Sequence, residues 1–142
     1  MKNWTINQHL VYTFVCVSSL GDGKINTSEK EAWWGNCNVI VPDMSKDEYS
    51  KVVTEVSDEF EKLGDEDARK AQYKNSLEAL KEIFTSDQDR FKVIKNLAYI
   101  VRADKVTEDK EKEMVEEVVK VLDMTDKVDL SIQSILYVNL KK

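Results

Sequence analysis

Apolar residues recur along most of this chain with a helical period. Tyr49, Val52, Val53, Val56, Phe60 and Leu63 fall on one stripe at a 3.6-residue spacing, which would scatter over both faces of a strand. Tyr73, Leu77, Leu80 and Phe84 form a second stripe, and Met114, Val115, Val118, Val119 and Leu122 a third. Two other segments are apolar around much of the helical circumference. One holds Leu10, Val11, Phe14, Val15 and Val17; the other holds Phe91, Val93, Ile94, Leu97, Ile100 and Val101. Such helices belong at the centre of a bundle, so these two are expected to pack against each other inside the amphipathic ones.

Helix starts are marked by a small polar residue followed three positions later by Glu or Gln, a pairing that satisfies orphan amide groups. Thr5 with Gln8, Asn26 with Glu29 and Ser45 with Glu48 are three such boxes. Pro42 ends the second helix, and Gly64 is placed to cap the third. Asp65 or Asp67 opens a fourth, Ser86 a fifth over 87–102, and Thr107 a sixth. A seventh is expected over 127–138, and no strand is expected anywhere. The reading is all-α, about seven helices in a single domain spanning 1–142.

Composition agrees. The 142 residues include four glycines and one proline, too few for the tight turns of a sandwich or barrel. Charged residues make up 34% and the net charge is −6, so the average field repels nucleic acid and anionic lipid. No stretch approaches the apolar length of a membrane span. The apolar run 10–20 resembles a signal-peptide core, but Asn7, Gln8 and His9 interrupt its approach and only Lys2 is basic ahead of it. It reads as a core helix. Cys16 and Cys37 are not a CxxC pair and read as buried hydrophobes of a reducing compartment, with a disulfide between them left open.

An internal duplication emerges when Asp22 is set against Asp104 with one residue missing. Ile25 then meets Val106, Asn26 meets Thr107, Trp33 meets Met114, Trp34 meets Val115, Cys37 meets Val118 and Val41 meets Leu122. Each copy is a helix, a short acidic turn and a capped helix. The expected architecture is two duplicated helical hairpins around a central apolar pair.

Three features together resemble the tellurite-resistance TerB family and the TerB-like region at the N-terminus of a DnaJ-type membrane co-chaperone. They are the turn 20–26 (LGDGKIN) with Glu29, the turn 102–107 (RADKVT) with its acidic follow-on, and the order of the helices. The resemblance spans nearly the whole chain. It implies a bacterial, cytoplasmic helical bundle that binds divalent cations, calcium above all, through clustered acidic residues. It also implies an adaptor role among stress-complex proteins, including a membrane-bound partner. No redox-active centre for tellurite reduction is visible.

The residues themselves allow two readings of these turns. Asp22, Glu29, Asp104, Glu108 and Glu111 form an oxygen-only donor set suited to Ca2+ or Mg2+. Equally, Asn26 and Thr107 are N-caps, and acidic residues in a first helical turn complement the helix dipole. A complete EF-hand loop is excluded, because Leu20 would fall at a ligand position. The second turn lacks a counterpart to Gly23, and Lys110 stands where the first copy has Glu29. If one turn binds a cation, it is the first.

Trp33 and Trp34 are about 100° apart on their helix, so one can face the core while the other sits at a rim as a partner anchor. The chain has no Gly-rich phosphate loop, GxSxG or HExxH motif, and His9 is its only histidine. A non-catalytic binding protein is therefore expected. The alternatives are an acidic adaptor or inhibitor docking a basic partner without metal, and a hydrolase built on converging carboxylates in a deep pocket.

Overall fold

The computed structural model describes the backbone of residues 4–22, 27–103, 108–133 and 135–141, and the side chains of residues 4–18, 33–100, 112–130 and 138–141. Among the described residues six helices follow one another: α1 (Ile6–Asp22), α2 (Thr27–Ile40), α3 (Lys46–Leu63), α4 (Glu66–Ile83), α5 (Asp87–Ala103) and α6 (Glu108–Val121). Each starts within a residue or two of its sequence signal. The Thr5 box closes in both directions, with Thr5 N donating to Gln8 Oε1 at 2.8 Å and Gln8 N to Thr5 Oγ1 at 3.3 Å. Ser45 Oγ accepts from Glu48 N, and the Glu48 carboxylate accepts from Asn7 Nδ2, tying α3 to the first turn of α1. Asp65 and Ser86 cap α4 and α5. The Asn26 box and the Thr107 cap lie outside the described residues.

Helix ends need little glycine. Gly64 closes α3 at φ 63°, while Asp123 takes the left-handed conformation after α6 at φ 58°. There Met124 N donates to the Val119 carbonyl and Asp123 N to that of Lys120. Aspartate tolerates this backbone better than most side chains.

The duplication is written in the helix lengths. α1 and α5 each have 17 residues, α2 and α6 each have 14, and four residues separate the members of each pair. Trp33 and Met114 are each the seventh residue of their helix, and Cys37 and Val118 each the eleventh, as the sequence pairing requires. The helix bounds need no missing residue: they set Asp22 against Ala103 rather than Asp104, a shift within the usual latitude of helix ends. Between the hairpins stand α3 and α4, of 18 residues each.

The core is continuous and α1 is its axis. Every residue from His9 to Ser18 is buried, and α1 packs against α2, α3, α4 and α5. α5 lies against α1 and contributes Val93, Ile94, Leu97, Ala98 and Ile100. Unlike α1 it is not enclosed, for Lys92, Lys95 and Tyr99 face solvent. The α3 stripe is buried as expected, save that Leu63 is only half-buried.

The helix expected over 127–138 is instead a β-hairpin, β1 (Val128–Gln133) and β2 (Ile135–Leu140), paired antiparallel from Val128↔Leu140 to Gln133↔Ile135. The fold remains predominantly helical. Strict alternation in Val128-Asp129-Leu130-Ser131-Ile132-Gln133 carried a period of two, and the β-branched and aromatic residues after it favour strands. Cross-strand neighbours Val128 with Leu140 and Leu130 with Val138 pack on the core, and the hairpin lies against α5 and α6. Lys127 Nζ, 2.9 Å from Asp87 Oδ1, fastens its entry to the start of α5.

Candidate functional site

Five acidic residues were expected to form a cation site. Asp22 is the last residue of α1, Glu29 the third of α2, and Glu108 and Glu111 the first and fourth of α6. Asp104 and the side chains of the other four lie outside the described residues. Their backbone places already separate them. Glu29, Glu108 and Glu111 sit in first turns, where the helix dipole favours a carboxylate and capping alone accounts for them. Asp22 sits at the opposite pole. The last turn of a helix presents unsatisfied carbonyls and a partial negative charge, and the last turn of α1 holds no basic residue. Dipole compensation therefore does not explain Asp22.

Trp33 and Trp34 divide as helical geometry requires. Trp33 is 3% exposed and belongs to the core. Trp34 is half-buried and stacks on Tyr49 of α3, with ring centroids 5.4 Å apart at 51°.

A buried polar cluster joins α1 to α3 and α4, and sequence reasoning did not find it. His9 Nδ1 is 3.0 Å from Ser76 Oγ, to which Gln72 Nε2 also donates at 3.2 Å. A neutral imidazole fits if the Ser76 hydroxyl accepts from Gln72 and donates to Nδ1. Trp4 covers the imidazole edge-on at 5.6 Å. One turn along α1, Tyr12 Oη donates to the Arg69 carbonyl, and the Arg69 guanidinium lies 3.9 Å over the Phe60 ring while donating through Nε to the Phe60 carbonyl. The only advance signal was that His9 stood next to an apolar run.

Burial dominates the acid–base behaviour of this interior. It pushes the Cys16 thiol up to about 12, against a smaller opposing hydrogen bond from Tyr12, and raises Cys37 and the Tyr73 phenol as well. Neither cysteine is in a disulfide and both are buried, so they behave as hydrophobes rather than nucleophiles near neutrality. Burial lowers the pKa of His9. The unfolded chain then takes up a proton as pH falls through about 6.5 while the folded chain does not, so stability falls with pH until the folded-state pKa is reached. Urea midpoints at pH 7 and pH 5.5 are expected to differ more for the native chain than for His9→Gln. Equal differences would show that His9 does not supply this part of the acid sensitivity.

Residues 14–129 match the family model described as tellurite resistance protein TerB. The chain belongs to the TerB family. The matched span starts within α1, contains both acidic turns and ends at the second residue of β1, so most of the C-terminal hairpin lies beyond it. No curated protein and no solved structure gives a match. Among the described residues, no TerB helix is long and apolar enough to cross a membrane.

Proposed function

We propose that this TerB-family chain is a divalent-cation-responsive interaction module of the tellurite-resistance type, acting in a cytoplasmic stress response and without catalysis of its own. Asp22 carries the reading. A carboxylate on the negative pole of α1, with no basic residue in that turn, is the group most relieved by a bound cation. Gly21 and Gly23 flank it in the sequence, and glycine accepts backbone conformations that other residues resist. Glu29, Asp104, Glu108 and Glu111 would complete the ligands, and hard oxygen donors favour Ca2+ or Mg2+. Among the described residues no three His, Cys, Asp or Glu side chains could hold a metal, so the proposal rests on the two turns.

The absence of catalysis is supported by the state of the nucleophiles and the only imidazole. His9 is engaged with Ser76 beneath Trp4, and both thiols are held protonated. The partners would be other proteins of a stress complex, one of them membrane-bound.

Calorimetric titration of the metal-free protein with calcium tests the cation. Heat release and a higher melting temperature at millimolar calcium are expected, both reduced in Asp22→Ala. No heat and no thermal shift would remove the cation, leaving an acidic adaptor whose capture of a basic partner is sensitive to salt and indifferent to chelators.

A further inference from the structure

The two halves of the duplication are not equally covered. α1 is buried on every side from His9 to Ser18, whereas its counterpart α5 leaves one face open beside α2. There a groove of about 390 Å³ runs between the helices, with Phe91, Lys92, Lys95, Asn96 and Tyr99 on one wall and Asn36 and Val39 on the other. Among the described residues three large hydrophobic side chains are exposed, and two of them, Val39 at 53% and Tyr99 at 58%, line this groove. The α5 residues share a face because they recur at helical spacings of three and four.

Charge sets the groove apart. The groove between α4 and α6 is lined by Lys74, Lys81 and Lys120 against Glu78, Glu82 and Glu117, and the one between α6 and β1 is similarly mixed. Among the described residues the α2–α5 groove is lined by two lysines, two amides and no acidic residue, on a chain of net charge −6. Lys95 Nζ lies 6.0 Å from the centre of the Phe91 ring. Lys92 reaches Asp89 only at 4.0 Å, in an exposed contact that a stronger carboxylate can displace.

We propose that the groove between α2 and α5 docks an acidic segment of a partner protein, whose carboxylates meet Lys92 and Lys95 while a bulky apolar side chain enters between Val39, Phe91 and Tyr99. Complementary charge orients the segment and the apolar contact holds it. The rest of the acidic surface repels such a segment, which confines it to this face. Two-fold self-association through the same face would set lysines against lysines. The proposal extends the interaction-module reading but requires no cation.

The test titrates the 15N-labelled full chain with a synthetic acidic peptide in which glutamates flank a leucine pair, and with its lysine-for-glutamate counterpart. Amide shifts at Asn36, Val39 and 91–99 are expected with the acidic peptide only, shrinking as salt is raised. The double variant Lys92→Glu with Lys95→Glu is expected to weaken binding at least about tenfold at an unchanged melting temperature, and Tyr99→Ala to weaken it through the apolar contact. Unmoved groove amides, equal binding of the basic peptide, or undiminished binding by the double variant would each overturn the proposal. So would concentration-dependent shifts without peptide, or shifts produced equally by anionic vesicles. Because the calcium titration reads a different place, either result can fail while the other stands.

Discussion

Truncating Phe14 to alanine is expected to cost about 3–5 kcal/mol of folding stability, read as a lower urea midpoint at unchanged slope. Phe14 is fully buried in the middle of α1, which has neighbours on all sides and no solvent-facing surface along 9–18. A cavity there cannot be closed by moving one helix, because α2, α3, α4 and α5 all lean on α1. Domains of this size have about 5–15 kcal/mol in total, so the variant should sit near its threshold at room temperature. Val39→Ala, on an exposed side chain of α2, should stay within about 0.5 kcal/mol of the native chain. A Phe14→Ala midpoint close to that of Val39→Ala would mean that α1 is not the axis of the core.

That α1 is the axis could be read in advance because its apolar residues have no polar side to show. The same reasoning applied to α5 was incomplete. Phe91, Val93, Ile94, Leu97, Ile100 and Val101 do wrap around much of the helix, yet Lys92, Lys95 and Tyr99 interrupt the wrap along one line. A handful of polar residues on an otherwise apolar helix marks the face left to solvent, and here it marks the groove. The helix bounds were equally legible, since Thr5, Ser45, Asp65 and Ser86 announce them through the amides they satisfy.

The C-terminal hairpin was missed for a physical reason. Scarce glycine and proline argue against a sheet with many tight turns, but a single hairpin needs only one. At that scale the alternation in 128–133 should have outweighed the composition of the whole chain. The polar cluster around His9 was illegible for another reason: Ser76 lies 67 positions from His9, and nothing local to either residue records that distance. For the cation turns the sequence supplied residue types, and the helix bounds added the pole at which Asp22, Glu29, Glu108 and Glu111 stand. That addition distinguishes Asp22 from Glu29, Glu108 and Glu111, which dipole and cap arguments already accommodate.

The adjacent tryptophans give the second large effect. Trp33→Ala is expected to cost about 3–5 kcal/mol, because the indole is 3% exposed and the core around α2 has no smaller way to fill its volume. Trp34→Ala is expected to cost about 1–2 kcal/mol, since only part of its area is buried and the remainder of its contribution is the stack on Tyr49. Denaturant melts of both variants measure the difference directly. The same pair separates packing from recognition. If Trp34 anchors a partner, Trp34→Ala loses capture of that partner while still melting cooperatively, and Trp34→Phe, which keeps a ring against Tyr49, recovers the stability without recovering the capture. If neither variant alters capture beyond its effect on the folded fraction, both indoles are packing residues, and among the described residues the exposed large apolar side chains left on α2 and α5 to meet another protein are Val39 and Tyr99.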